Sequence, residues 1–319
     1  MATMDQADLA DAMDEGFRQD TAEKVYRLLG ILREIQLTAA TRDKFTLKGG
    51  TALNIFHLPS IPRLSVDIDL VATGYSEAWP DHESRKDAIN AATKLAKSLG
   101  YRVDVNDSED SGCTIHCNYT NSLGTPDKVK IDIDFLNRKL LVEPEIHAGP
   151  AMFQADDIEF PIVAIPELMA QKLVAVCYRA HVRDLYDMAV MLREGWHKDA
   201  ATRRLYLAYS FLKDHEWYRL NYLTKLEPGK FDFHPEKIRD VVRAGVDPPT
   251  LDDVRSLAVA ELNPDFIQPT EEEMHCQKRL IRGDTEAFAD LLQEMNSSRR
   301  KYLMESQALQ FRLSQIAKR

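Results

Sequence analysis

Two short runs constrain this chain more than any other feature. Residues 63–71 read Arg-Leu-Ser-Val-Asp-Ile-Asp-Leu-Val, and residues 128–136 read Lys-Val-Lys-Ile-Asp-Ile-Asp-Phe-Leu. Alternation at a period of two marks a strand whose successive side chains leave on opposite faces. In the first run Val66, Ile68 and Leu70 take one face, and Asp67 and Asp69 the other, with Ser65 on the acidic side. In the second, Ile131, Ile133 and Phe135 oppose Lys130, Asp132 and Asp134. The apolar faces pack on a helix layer, and the carboxylates gather on the other. Two like charges ~4 Å apart repel by roughly 1 kcal/mol in water and about 4 kcal/mol at an effective dielectric of 20. A divalent cation offsets that repulsion directly. An exposed polar face is the plain alternative for one Asp-x-Asp. Two such strands as neighbours bring three carboxylates together, with Asp132 as the third and Asp134 as its alternative. That is the set two-metal phosphoryl or nucleotidyl transfer requires: two bind the cations, and the third completes a shell and takes the proton of the attacking hydroxyl.

The flanking sequence supports an α/β fold. Residues 20–40 show apolar positions at helical spacing, "KFTLKGG" reads as a short strand, and "TALNIFHL" as a helix broken by Pro59 and Pro62. "DHESRKDAINAATKLAKSLG" is a helix ended by Gly100, and "YRVDV", "CTIHCNYT" and "DIEFPIVAI" read as further strands. From Pro166 the chain turns helical, in "PELMAQKLVAVCYRA", "RDLYDMAVMLREG", "ATRRLYLAYSFLKD", "LDDVRSLAVAEL" and a run over residues 285–318. Residues 221–249 are rich in turn formers. The expectation is a mixed α/β sheet domain at 1–165 and a helical domain at 166–319 that completes a substrate cleft. A chain of 319 residues, 44% hydrophobic, supports two such cores.

With 51 Asp+Glu against 41 Lys+Arg, the net charge of −10 argues against a nonspecific nucleic-acid coat but leaves room for a local basic groove. The late run Arg299, Arg300, Lys301, Arg312, Lys318 and Arg319 is basic, and reads either as an RNA-backbone wall or as the solvated side of an amphipathic helix. Cys113 and Cys117 share one strand face while His116 takes the other, so "CTIHC" does not chelate as a unit. The cysteines read as reduced, buried thiols, and His275-Cys276 as structural. The start "MATMDQADLADAMDEG" lacks the apolar run of a signal peptide, and no segment approaches the ~20 apolar residues of a membrane span. The expected location is cytoplasmic.

Two further motifs carry chemistry. In "LKGGTALN", Gly49 and Gly50 at a helix start let a phosphate approach the backbone, with Thr51 as N-cap or phosphate contact. An ordinary glycine turn is the alternative. In "QKLVAVCYRAHVRDLYD", Lys172 reaches for the charge on a leaving pyrophosphate, and Arg183 does the same or pairs with Asp184 or Asp187. A surface ion-pair cluster is the alternative there. Ser65 either touches phosphate or bonds backbone.

Taken together, "GGTALN…RLSVDIDL" resembles the signature of the DNA polymerase beta-like nucleotidyltransferase superfamily. With Lys172-x-x-Ala175 followed by Arg183-Asp184, the chain resembles the AbiEii/AbiGii toxin family, which includes the MenT toxins. The matching pieces run from about Phe45 to Met188, with Thr51 where the family often has Ser nearby. The resemblance implies a nucleotidyltransferase toxin of a toxin–antitoxin or phage-defence system, with Mg²⁺ and an NTP. Asp67, Asp69 and Asp132 would be catalytic metal ligands, joined by Lys172 and Asp184. Gly49, Gly50, Thr51, Ser65, Lys172 and Arg183 would bind the nucleotide. The implied acceptor is the 3′ end of tRNA, and the implied partner an antitoxin encoded nearby. Nucleotidylation of a small molecule or a protein, and an NTP-binding module without turnover, are the rival readings.

Overall fold

The computed structural model describes residues 6–58, 60–74, 82–108, 112–179, 181–214, 234, 236–262, 266, 269–292 and 303–318. Helix α1 (Gln19–Leu37) precedes strands β1 (Thr46–Lys48) and β2 (Asp67–Val71), then helix α2 (His82–Ser98). Strands β3 (Arg102–Ser108), β4 (Gly112–Thr120), β5 (Pro126–Asp134), β6 (Glu145–Ala148) and β7 (Glu159–Ile162) follow. They form a seven-stranded mixed sheet of order β3-β4-β5-β2-β1-β7-β6. Within it, the β2–β5 and β1–β7 pairs are parallel and the others antiparallel.

The two acidic strands therefore lie side by side at the centre of the sheet. Their apolar halves, Ile68, Leu70, Ile131 and Ile133, are at most 1% exposed. Burying each such side chain contributes about 1.5–3 kcal/mol, which pins the register of both strands. Helix α1 buries Val25, Leu28, Leu29, Leu32 and Ile35 and packs near β5 and β7; α2 packs near β3 and β4. Cys113, Ile115 and Cys117 share the buried face of β4, and burial pushes the two thiols up to about 11 and about 12. All four cysteines are buried, and none forms a disulfide.

Helices α3 (Ile165–Tyr178), α4 (Val182–Arg193), α5 (Ala200–Lys213), α6 (Leu251–Glu261), α7 (Glu271–Ile281), α8 (Glu286–Leu292) and α9 (Gln307–Ala317) make up most of a second unit. There, the wholly buried Glu167 carboxylate accepts from the Leu141 N–H at 3.0 Å, the Val142 N–H at 2.8 Å and the Tyr209 hydroxyl. This ties residues 139–142 to the helices.

The two units interleave along the chain. One is Met1–Arg138, Glu143–Val163 and Arg239–Asp247; the other is Lys139–Val142, Ala164–Ile238 and Pro248–Arg319. The returning segment joins the first unit by backbone bonds, Leu64 N–H to Val241 O at 2.7 Å and Ala244 N–H to Gly16 O at 2.8 Å. Local periodicity carries no record of such long-range pairing. Helix α7 also falls in a stretch without a sequence expectation, although Thr270 and Glu273 form a capping box at its start. Among the described residues, no helix is long and apolar enough to cross a membrane.

Candidate active site

Register turns the alternation of β2 and β5 into a site. Lys48 of β1 pairs with Asp69, Asp69 with Asp132 of β5, and Asp132 with Thr114 of β4, forming one row across four strands. One step along, Asp67 pairs with Lys130, and Lys130 with His116. Both rows lie on the half-buried face of the sheet. The Lys130 ammonium bonds Asp132, which also accepts from the Thr114 hydroxyl. Burial works against the charge on Lys130, but Asp132 outweighs it, and Asp67 and Asp69 add to the effect, so its pKa rises above the ordinary lysine value. One cation thus feels all three carboxylates.

Asp134 is engaged elsewhere. It accepts from the backbone N–H groups of Leu136 at 2.9 Å and Asn137 at 3.1 Å, from the Asn137 side chain at 2.8 Å, and pairs with Lys48. Burial pushes its carboxyl up, but Lys48 and Asn137 outweigh this and hold it below the usual carboxylate range. Of the two candidates for third carboxylate, Asp132 is the one aligned with Asp69.

The glycine pair is required by what presses on it. Gly49 has φ +73°, and a β-carbon there would fall 2.1 Å from Asp69 Oδ2. A β-carbon on Gly50 would lie 2.8 Å from Ser65 Oγ and 2.9 Å from Arg63 Nη2. Only glycine lets the helix start, the Asp69 carboxylate, Ser65 and the buried Arg63 share this space. The helical segment opens with one α turn, Gly49–Thr51, and continues as a π-helix, Ala52–His57. Lys48 stands at the N-cap of the α turn and Thr51 at that of the π-helix, neither with a side-chain capping bond. Thr51 is wholly buried and donates its hydroxyl to the Asp67 carbonyl, so it fastens the glycine turn to β2.

The carboxylate face offers the ligand type that a hard divalent cation takes. Its candidate donors are the carboxylate oxygens of Asp67, Asp69 and Asp132, which share one face of neighbouring strands with Lys130.

In the helical unit, Lys172 on α3 bonds Asp187 at 2.6 Å and Asp184 at 3.3 Å, both on α4. Asp184 also pairs with Arg179 at 2.7 Å. Burial alone would lift the Asp184 carboxyl, but Arg179 and Lys172 outweigh it and hold it below the usual range. Two buried carboxylates offset the Lys172 charge, so the lysine motif joins α3 to α4. Arg183 stands in the first turn of α4.

A model of the family described as nucleotidyl transferase AbiEii toxin, type IV toxin–antitoxin system, matches residues 31–301. The chain belongs to the AbiEii family. It is accordingly a nucleotidyltransferase toxin of a type IV toxin–antitoxin system, a class that implies an NTP substrate and an antitoxin partner. Among solved structures, it is similar to MenT4, a nucleotidyltransferase toxin from Mycobacterium tuberculosis H37Rv, with a TM-score of 0.64 and 20% identity over 89% of this chain and 98% of that one. At that identity the likeness speaks for the fold. No curated protein matches the sequence.

Three residues around this acidic face lie in plain view in the sequence without a role. Lys48 precedes the glycine pair, Arg63 opens the first acidic run, and Lys130 opens the acidic face of the second. Alternation could have assigned Lys130; the other two needed the fold. The expected basic wall is partly reassigned. Arg312 Nε donates to the Leu212 carbonyl at 2.9 Å, and its Nη2 to the Lys213 carbonyl, near the C-terminus of α5. Arg299, Arg300, Lys301 and Arg319 lie outside the described residues.

Proposed function

We propose that this AbiEii chain transfers a nucleoside monophosphate from an NTP to the 3′ end of tRNA, with Mg²⁺ held by Asp67, Asp69 and Asp132. The observation that carries this reading is the register of β2 and β5, which sets Asp69 beside Asp132 and Asp67 beside Lys130 on neighbouring central strands. Held by Asp67, Asp69 and Asp132, Mg²⁺ would supply positive charge against the charge that develops on the phosphate oxygens. The remaining roles belong to the chain. Asp132 accepts the proton of the acceptor hydroxyl as its oxygen bonds to the α-phosphorus. The bond from that phosphorus to the bridging oxygen breaks, and pyrophosphate leaves. Gly49 and Gly50 keep the backbone open to phosphate oxygens, and Ser65 and Arg63 support that turn from behind. Lys172 and Asp184 act as positioning residues that hold α3 to α4, with Arg183 beside them as a nucleotide contact. A nucleotide added to the tRNA 3′ end blocks aminoacylation, which accounts for growth inhibition and sets the work in the cytoplasm.

The test offers each labelled NTP to total tRNA, to protein and to small-molecule extracts. Label in tRNA, lost with a folded Asp67→Ala variant, is the expected result. Label confined to another fraction overturns the tRNA acceptor, and full transfer by folded Asp67→Ala overturns the metal site.

A further inference from the structure

A second cluster of ligating side chains lies at an edge of the sheet. Glu145 and His147 sit two apart on edge strand β6 and so share a face. His57, the last residue of the π-helix, meets them there. One donor atom from each of His57, Glu145 and His147 lies within 4.8 Å of the others. The two imidazole rings meet edge to face at 4.6 Å, and His147 Nε2 stands 3.0 Å from Glu145 Oε2.

The orientation of His57 matches a ligand more closely than chance packing requires. Its Nε2 lies 2.8 Å from the Val163 carbonyl, which can only accept, so Nε2 carries the proton and Nδ1 the lone pair. Metal-bound histidines are commonly fixed in this way by a carbonyl behind the ring. Two imidazoles and one carboxylate form a donor set suited to zinc, and tetrahedral bonds of ~2.0–2.1 Å place neighbouring donors about 3.3 Å apart. The observed spacings need only small side-chain rotations to reach it. The site is also accessible: the Glu145 side chain is 47% exposed and that of His147 28%.

We propose that His57, Glu145 and His147 form a binding site for a zinc-type divalent cation, distinct from the aspartate face. Such an ion clamps β6 to the far end of the helical segment that begins at Gly49. Its role is to hold that segment and the sheet edge together.

The test titrates chelator-treated full-length protein with Zn²⁺ and Co²⁺ in excess Mg²⁺. The expected result is one equivalent bound, tetrahedral cobalt bands in the visible spectrum and a rise in Tm. His147→Ala and Glu145→Ala, both on a partly exposed edge strand, lose the bands and the Tm rise, whereas Asp67→Ala keeps both. Lack of Zn²⁺ uptake by the wild-type chain overturns the proposal. So does unchanged binding by the β6 variants, or loss of the bands in Asp67→Ala.

Discussion

Gly49→Ala separates two demands that the structure places on one residue. The first is backbone conformation: at φ +73°, alanine costs roughly 1–2 kcal/mol in the left-handed region. The second is space. The new β-carbon would sit 2.1 Å from Asp69 Oδ2, whereas ordinary contact begins at 3.4 Å, so the carboxylate has to withdraw by about 1.3 Å. A misplacement of ~1 Å at a reacting centre costs on the order of 10²-fold in rate. Gly100 supplies the control: it has φ +87°, and a β-carbon added there meets nothing within 4 Å, so alanine brings strain alone. Both variants are expected to lose similar backbone stability by urea unfolding. Only Gly49→Ala is expected to lose about 10²-fold in labelled nucleotide transfer to tRNA, together with growth inhibition. A folded Gly49→Ala enzyme within a few-fold of wild type would refute the reasoning, as would an equal loss of activity in Gly100→Ala.

Lys172→Ala leaves two buried carboxylates without their ammonium, with side-chain exposures of 3% at Asp184 and 0% at Asp187. A loss of about 3–5 kcal/mol is expected in urea unfolding, and a loss below ~1 kcal/mol would show that water reaches the pair. Asp184 has a folded-state pKa below its unfolded value, so the folded chain binds fewer protons there. Its stabilisation is fully present above the unfolded carboxylate pKa and disappears as pH falls through the depressed value. Asp184→Asn should therefore flatten the acid limb of stability against pH, and an unchanged slope would show that the ion pair contributes nothing. Lys130→Met removes the ammonium that competes for Asp132, so half-maximal transfer should need less Mg²⁺; a higher requirement would instead assign Lys130 to substrate binding.

Much of the sheet was legible because its central strands carry strict alternation. Ile68, Leu70, Ile131 and Ile133 had to be buried together, and that requirement alone set Asp67, Asp69 and Asp132 on the opposite face. The glycine pair was legible as a turn but not as a contact, since nothing local shows that Asp69 presses on Gly49. Local sequence points Lys172 at phosphate, whereas in the fold it meets Asp184 and Asp187 of the next helix. Residues 239–247 read as irregular, and their attachment to Gly16 and Leu64 depends on partners far away in the chain. The His57, Glu145 and His147 cluster escapes sequence reading for the same reason: one member comes from a helix and two from a short edge strand without a clear pattern.

The neighbouring of β2 and β5 has a consequence for how a cell makes this toxin. These strands pair in parallel, with the hairpin of β3 and β4 and helix α2 synthesised between them. Strand β1, which carries Lys48, is closed on its other side by β7, and Leu64 is bonded by Val241 later still. A ribosome must release the chain past Val241 before the acidic row is both complete and braced. Interrupted translation products ending ahead of Asp132 lack one member of that row outright.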